Sequence, residues 1–207
     1  MAQKGIKMNV LKDVSKLLSE VSLRSEPVVI RVNKFDEEAA AKFSNSVAAA
    51  QTTGQPIIPV VIDSYGGQVY SLMSMIANIK SSKIPVATIV EGKAMSCGAL
   101  LFSFGAPGYR FMDKHATIMI HDVSSGARGK IEEIKADAKE GDRLNQMLYR
   151  EMAANCGKEP DFFLKQIHDR SHADWYLDAT EAQLIGLADH LRVPDLKLKI
   201  EVTYSFE

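Results

Sequence analysis

The 207-residue chain is 46% apolar and 25% charged, with 25 basic and 26 acidic side chains and a formal net charge of −1. This fits one globular α/β domain with a real core and gives no basic excess for nucleic acid or an anionic membrane surface. No apolar stretch approaches the roughly 20 residues of a membrane span. The opening "MAQKGIKMNVLKDVSK" lacks a signal-peptide core, and Cys97 and Cys156 follow no metal spacing, which points to a reducing cytoplasm.

Residues 8–21 put Val10, Val14, Leu17 and Val21 on one helical face and predict a docking helix. "PVVIRV" (27–32) reads as a strand. Asp36 is placed to cap a helix with Glu37 and Glu38 in its first turn and Phe43, Val47 and Ala50 on its inner face, ending near Gly54. "IIPVVID" (57–63) is a second strand, followed by the loop "SYGG" and a helix with Val69, Leu72, Met73, Ile76 and Ile79 in register. "PVATIV" (85–90) is a third strand; "EGKAM" connects it to a helix from Ser96 to about Phe104. "ATIMI" (116–120) is a fourth and ends at His121.

These strands are continuously apolar, as in a mainly parallel sheet wrapped by helices. Ligand and catalytic groups gather at the C-terminal strand ends of such sheets. Gly66-Gly67, the stretch from Gly92 to Ser96, and His121 all lie at such ends. A polar connection, "DVSSGARGK", then leads to a long helix over 130–155, with Ile134, Ala138, Met147, Leu148 and Met152 on one side and Gly157 as its terminator. Asp178 and Glu181 form a capping box before a short helix that ends at Gly186. The tail "LKLKIEVTYSFE" alternates strictly and predicts a half-buried strand within 194–207 that needs a partner.

Ser96 sits among small residues at a strand-to-helix turn, which can hold a hydroxyl proud of the backbone beside free helix N–H groups. A serine there is also an ordinary helix cap. A histidine at a strand end can serve as its base, or fill a rim position. Gly66-Gly67 can bring N–H groups close to a ligand, or only turn the chain. Asp174 reads by itself as a surface carboxylate, and His168 and His172 are a histidine pair with no third metal ligand nearby.

Taken together, "VVIDSYGG", "GKAMSCGALLFSFGAPGYRFM", "ATIMIHDV" and "DWYLDATEAQLIGLAD" resemble the ClpP family of serine peptidases over residues 57–189. The resemblance implies a ClpP/crotonase-like fold: a repeated β-β-α superhelix with a mainly parallel sheet, plus a handle strand and long helix over 122–155. A single peptidase domain then spans 1–207. It implies Ser96 as nucleophile, His121 as general base and Asp174 as third triad member, with Asp169 as the other carboxylate in that stretch. The N–H groups of Gly67 and Cys97 become the oxyanion hole. No metal or cofactor is required. The expected protein is a self-compartmentalising, ATP-independent serine endopeptidase of two stacked heptameric rings, acting on peptides or unfolded protein.

Several positions depart from the family pattern. Asp63-Ser64-Tyr65 replaces the usual Asn-Ser-Pro, Pro59 and Val61 stand where aromatics usually line the docking pocket for an ATP-driven unfoldase, and Asp113 stands where an apolar residue is usual. The stretch before the first helix is short for axial gating loops. These features speak against the standard unfoldase partner and fit a divergent member, phage-encoded or paralogous. Two other readings stand beside the peptidase: a crotonase-like acyl-CoA enzyme, and a catalytically inactive ring subunit.

Overall fold

The computed structural model describes residues 26–195 apart from 125 and 127, together with the backbone pairs 10–11 and 204–205. In chain order the first elements are β1 (Val10–Leu11), β2 (Ile30–Val32), α1 (Glu37–Ala50), β3 (Ile58–Ser64), α2 (Val69–Ser81), β4 (Val86–Met95) and α3 (Cys97–Ser103). Then follow β5 (Arg110–Met112), β6 (Thr117–Ile120), α4 (Ile131–Asn155), α5 (Phe162–Asp169), β7 (Trp175–Leu177), α6 (Ala179–Leu184) and β8 (Tyr204–Ser205). Contacts divide the chain into two units, Leu23–Pro194 and Met1–Ser22 with Asp195–Glu207.

In the smaller unit β1 and β8 pair in parallel, with Val10 opposite Tyr204. The helix expected over 8–21 therefore gives way to a strand at Val10–Leu11. Its other described neighbours are none, because 8–9 and 12–21 lie outside the described residues. The C-terminal strand is seen at Tyr204–Ser205, and most of the alternating tail likewise lies outside them.

In the larger unit the strand order is β2-β3-β4-β6-β7, with β5 pairing on β4. Every pairing is parallel except β6 with β7. β4 is longer than its apolar run suggests, because "EGKAM" continues it. A register shift between β3 and β4, from Ile62 opposite Val90 to Ser64 opposite Ala94, lets β4 change partner. Its first half pairs with β5 at Thr88–Val90 and its second with β6 at Lys93–Met95.

Local chemistry fixes the helix ends. Asp36 accepts the Ala39 N–H at 2.8 Å and starts α1. Glu181 N–H donates to Asp178 at 2.8 Å while Asp178 N–H donates to Glu181 at 2.9 Å, a complete capping box. Gly157 ends α4 at φ 64°, with Lys158 N–H reaching back to the Ala153 carbonyl at 2.8 Å.

All six described helices place buried side chains in one large core with Ile58, Val60, Ile62, Val86 and Val90. The alternate residues Val61, Ala87 and Ile89 turn to the other sheet face and form a small cluster with Phe111. The strands are thus buried on both faces, but among the described residues no helix contributes to the second cluster. Among the described residues the helical cover expected on both sides is one-sided. Arg110, at the end of this sheet, clasps Asp189 with two guanidinium contacts of 2.6 and 3.0 Å.

The described residues of 122–130 form no strand. A strand needs a ladder partner, and the single chain offers none there. Within α4 the buried stripe starts at Leu144 and runs through Leu148, Tyr149, Met152 and Ala153. Ile134 and Ala138, expected on the core side, lie in an exposed first half. No described helix is long and apolar enough to cross a membrane.

Candidate active site

Three neighbouring parallel strands end together, and each delivers one part of the site. Met95 of β4 is opposite Met119 of β6, and the next N–H, of Ser96, donates to the Met119 carbonyl at 2.8 Å. His121 follows two residues after Met119. Gly66 and Gly67 follow β3, the other neighbour of β4. On the far side of β6, the antiparallel pairing puts Ile120 opposite Trp175, so the next pair outward is His121 with Asp174.

Ser96 occupies the N-cap place of α3, yet its side chain makes no capping hydrogen bond. Its backbone is at φ 55°, ψ −119°, a region that non-glycine residues rarely occupy and that costs of order 1–3 kcal/mol. A cap would release that strain by adopting extended geometry and bonding its own helix. Here the strain is held by the Met119 bond on one side and by α3 on the other, where Leu100 N–H donates to the Ser96 carbonyl at 3.2 Å. The hydroxyl is left for the pocket.

That pocket is lined by Gly67, Ser96, Cys97, His121, Asn145 and Tyr149, with Val69, Leu100 and Leu148 as its apolar wall. Gly66 is required by a close approach. A Cβ there would sit 2.7 Å from the Ser96 Cβ, and its φ is 106°. Ser64 shapes the same turn by accepting the Gly66 N–H at 3.1 Å. Cys97 is the first residue of α3, so its N–H has no carbonyl to bond within its own helix. The bridge between Phe35 and Gly67 is made through the Gln68 N–H, which leaves the Gly67 N–H out of it. Burial raises the Cys97 thiol above its ordinary range, so it stays protonated and donates to the Gly67 carbonyl at 3.3 Å. This bond ties together the two residues that carry the candidate oxyanion donors.

His121 Nδ1 stands 3.9 Å from Asp174 Oδ1. That is an ion-pair distance, longer than a hydrogen bond. Asp169, the other carboxylate of the stretch, closes α5 and neighbours His168 at 3.8 Å. Asp178 is occupied as the cap of α6.

The departing positions have local roles. Lys93 bonds Asp63 at 2.8 Å, which raises the Lys93 pKa, and its ammonium lies 4.5 Å over the Tyr65 ring. This brace holds the "DSY" loop without a proline. Asp113 organises the turn from β5 to β6 by accepting the His115 N–H at 2.8 Å.

Three polar residues beside the site, Tyr149, Asn145 and Asp122, carried no signal of their own in the sequence. Tyr149 donates to the His121 carbonyl, and burial lifts its phenol pKa far above the ordinary value. Asn145 accepts the Val123 N–H at 2.8 Å and donates to Asp122 at 3.1 Å. Asp122 in turn meets His172. The i, i+4 placement of Asn145 and Tyr149 beside the Leu144–Leu148–Met152 stripe is the pattern that could have drawn attention to them. A family model described as Clp protease matches residues 12–194.

Proposed function

The chain belongs to the Clp protease family of serine peptidases, and on that premise we propose that it cleaves peptide bonds through an acyl-enzyme formed on Ser96. The observation that carries this reading is the strained, non-capping Ser96 in a pocket shared with His121 and the Gly67 and Cys97 N–H groups. Ser96 Oγ attacks the substrate carbonyl carbon while His121 takes its proton. The two N–H groups receive the developing oxyanion; losing one such donor costs about 3–4 kcal/mol in other enzymes. His121 then protonates the leaving amine, and water, deprotonated by the same imidazole, releases the acyl group. Asp174 orients the imidazole once the 3.9 Å separation closes to hydrogen-bond length.

Family members typically form stacked rings. We extend this to a homo-oligomer of two heptameric rings whose sites open onto an internal chamber, in the cytoplasm. The substrates are peptides or unfolded protein, admitted without ATP. The buried Val61 and the turn-forming Asp113 support a surface without the usual aromatic unfoldase pocket.

The His121–Asp174 separation favours a second reading, a ring subunit with an unaligned site. Intact-mass labelling with a fluorophosphonate separates the two. One adduct per chain in wild type and none in Ser96→Ala is the expected result. A folded, assembled wild type that takes no adduct removes the peptidase reading and leaves the ring subunit.

A further inference from the structure

Asp122 follows His121 directly and reaches two elements at once. Its Oδ2 lies 2.6 Å from Nδ1 of His172, and its Oδ1 accepts from Asn145 Nδ2 at 3.1 Å. Asn145 Oδ1 takes the Val123 N–H at 2.8 Å, and one turn further along α4 Tyr149 donates to the His121 carbonyl. The main chain on both sides of Asp122 is thereby fixed to α4, and the Asp122 carboxylate is aimed across to the loop that carries Asp174.

That loop is unusual. Ser171 and His172 are consecutive non-glycine residues at φ 55° and 61°. Such backbone persists only where its surroundings hold it. Backbone bonds of Ser171 to His168 at 2.8 Å and of His172 to Ile167 at 3.0 Å tie it to the end of α5. Arg170 stacks over the Trp175 ring at 4.3 Å. The Asp122–His172 pair is a hydrogen-bonded side-chain tie from this loop to the β6 end, and it is anchored two residues before Asp174. A carboxylate that accepts from two donors at these distances is a directional clip, with the His172 side chain 61% and the Asp122 side chain 30% exposed.

We propose that Asp122 is a positioning residue which, through His172, sets the place of Asp174 against His121. The proposal rests on the reading of His121 and Asp174 as an orienting pair. Because that pair stands at 3.9 Å, a small movement of the 170–174 loop decides whether the hydrogen bond forms. Misplacement of about 1 Å in such a group lowers a rate by about a hundredfold.

The test is fluorophosphonate inactivation of the full chain, resolved into kinact and KI, for wild type, Asp122→Ala, His172→Ala, Asp122→Ala/His172→Ala and His172→Asn. Asparagine tolerates left-handed backbone and carries an amide nitrogen near the Nδ1 position, so it keeps the bond that alanine loses. Expected are a fall in kinact of about tenfold to a hundredfold in each alanine variant with KI unchanged, a double variant no worse than the singles, and recovery in His172→Asn. Unchanged kinact in Asp122→Ala, additive losses, or no recovery with asparagine overturns the proposal. Amide exchange over 170–175 is read on the same proteins, with exchange in Asp122→Ala about tenfold faster. If wild type takes no label, the Ser96 reading fails by itself and exchange decides the clip: faster exchange supports it, unchanged exchange overturns it.

Discussion

Ser96 and Gly66 are matched residues. The serine takes the strained turn that puts its hydroxyl in the pocket, and the glycine gives up its side chain so that this turn has room. Gly66→Ala places a methyl group 2.7 Å from the Ser96 Cβ and 3.1 Å from the Met95 carbonyl, on backbone at φ 106°. Neither neighbour is the free end of a flexible chain. The variant is expected to lose about 2–3 kcal/mol of stability in urea unfolding and to label with fluorophosphonate at least about a hundredfold more slowly. Gly98→Ala is the contrast: its methyl meets Ser64 O at 3.5 Å and Ala94 Cβ at 3.6 Å, ordinary contacts within a helix, so its stability stays within about 1 kcal/mol of wild type. Equal losses in the two variants would show that the close approach at Gly66 carries no special cost. The strand ends beside Ser96, His121 and the glycine pair were legible in the sequence because continuous apolar runs stop at or a few residues before them, and in a parallel sheet those ends lie side by side; the roles of these residues came from family resemblance. Asp174 was reached through family resemblance alone, since no periodicity marks the residue before a three-residue strand. Asp122, Asn145 and Tyr149 were illegible for another reason. Their bonds join positions 22 to 28 apart, and only the fold brings α4 against the segment that follows β6.

Among the elements, those marked by a core period, an apolar run or a cap were readable, while β5, β7 and α5 were not. The stripes of α1 and α2 and the capping box of α6 are written in consecutive residues. β5 and β7 have three residues each, too few to show a period, and α5 spans only Phe162–Asp169. β5 is held in place by the clasp between Arg110 and Asp189. The Arg110 side chain is only 8% exposed and also donates to the Asn155 carbonyl at 3.1 Å, so one guanidinium joins β5, the end of α4 and the segment after α6. Removing the carboxylate strands a buried cation. Asp189→Ala is therefore expected to cost about 3–5 kcal/mol in urea unfolding, where loss of an exposed pair costs about 1 or less. Burial alone would raise the Asp189 pKa, but the Arg110 hydrogen bonds and charge outweigh it and hold the carboxylate below its ordinary value. A depressed folded-state pKa gives stability that is present above the unfolded value of about 3.9 and is lost as pH falls through the folded one. Wild type is expected to lose stability in this way below about pH 4, and Asp189→Ala to show a shallower fall over the same window. Parallel curves for the two proteins would remove Asp189 from the acid response.

At the scale of the whole molecule, the unfinished part of the larger unit is the first half of α4. A helix of 25 residues is about 37 Å long, and its buried side chains begin at Leu144. Before that point Ile131 is 72% and Ile134 41% exposed, on a stretch otherwise built of charged and small residues. Helical propensity alone does not account for two exposed isoleucines three apart on one face; a covering surface does. The segment just before the helix has the same deficit, since the described residues of 122–130 form no strand and have no ladder partner. In the two-ring assembly proposed above, a facing copy of this chain would cover the isoleucines and pair the connection. Light scattering after gel filtration is expected to give a many-chain particle for wild type. Ile134→Asp puts a charge into the joint without touching the core, and is expected to yield particles of about half that mass with an unchanged far-ultraviolet spectrum. Because Asp122 and Asn145 connect this region to the His121–Asp174 pair, the half-particle should also label more slowly at Ser96. A wild type that runs as a single chain, or an Ile134→Asp particle of full mass, would place the cover of α4 elsewhere.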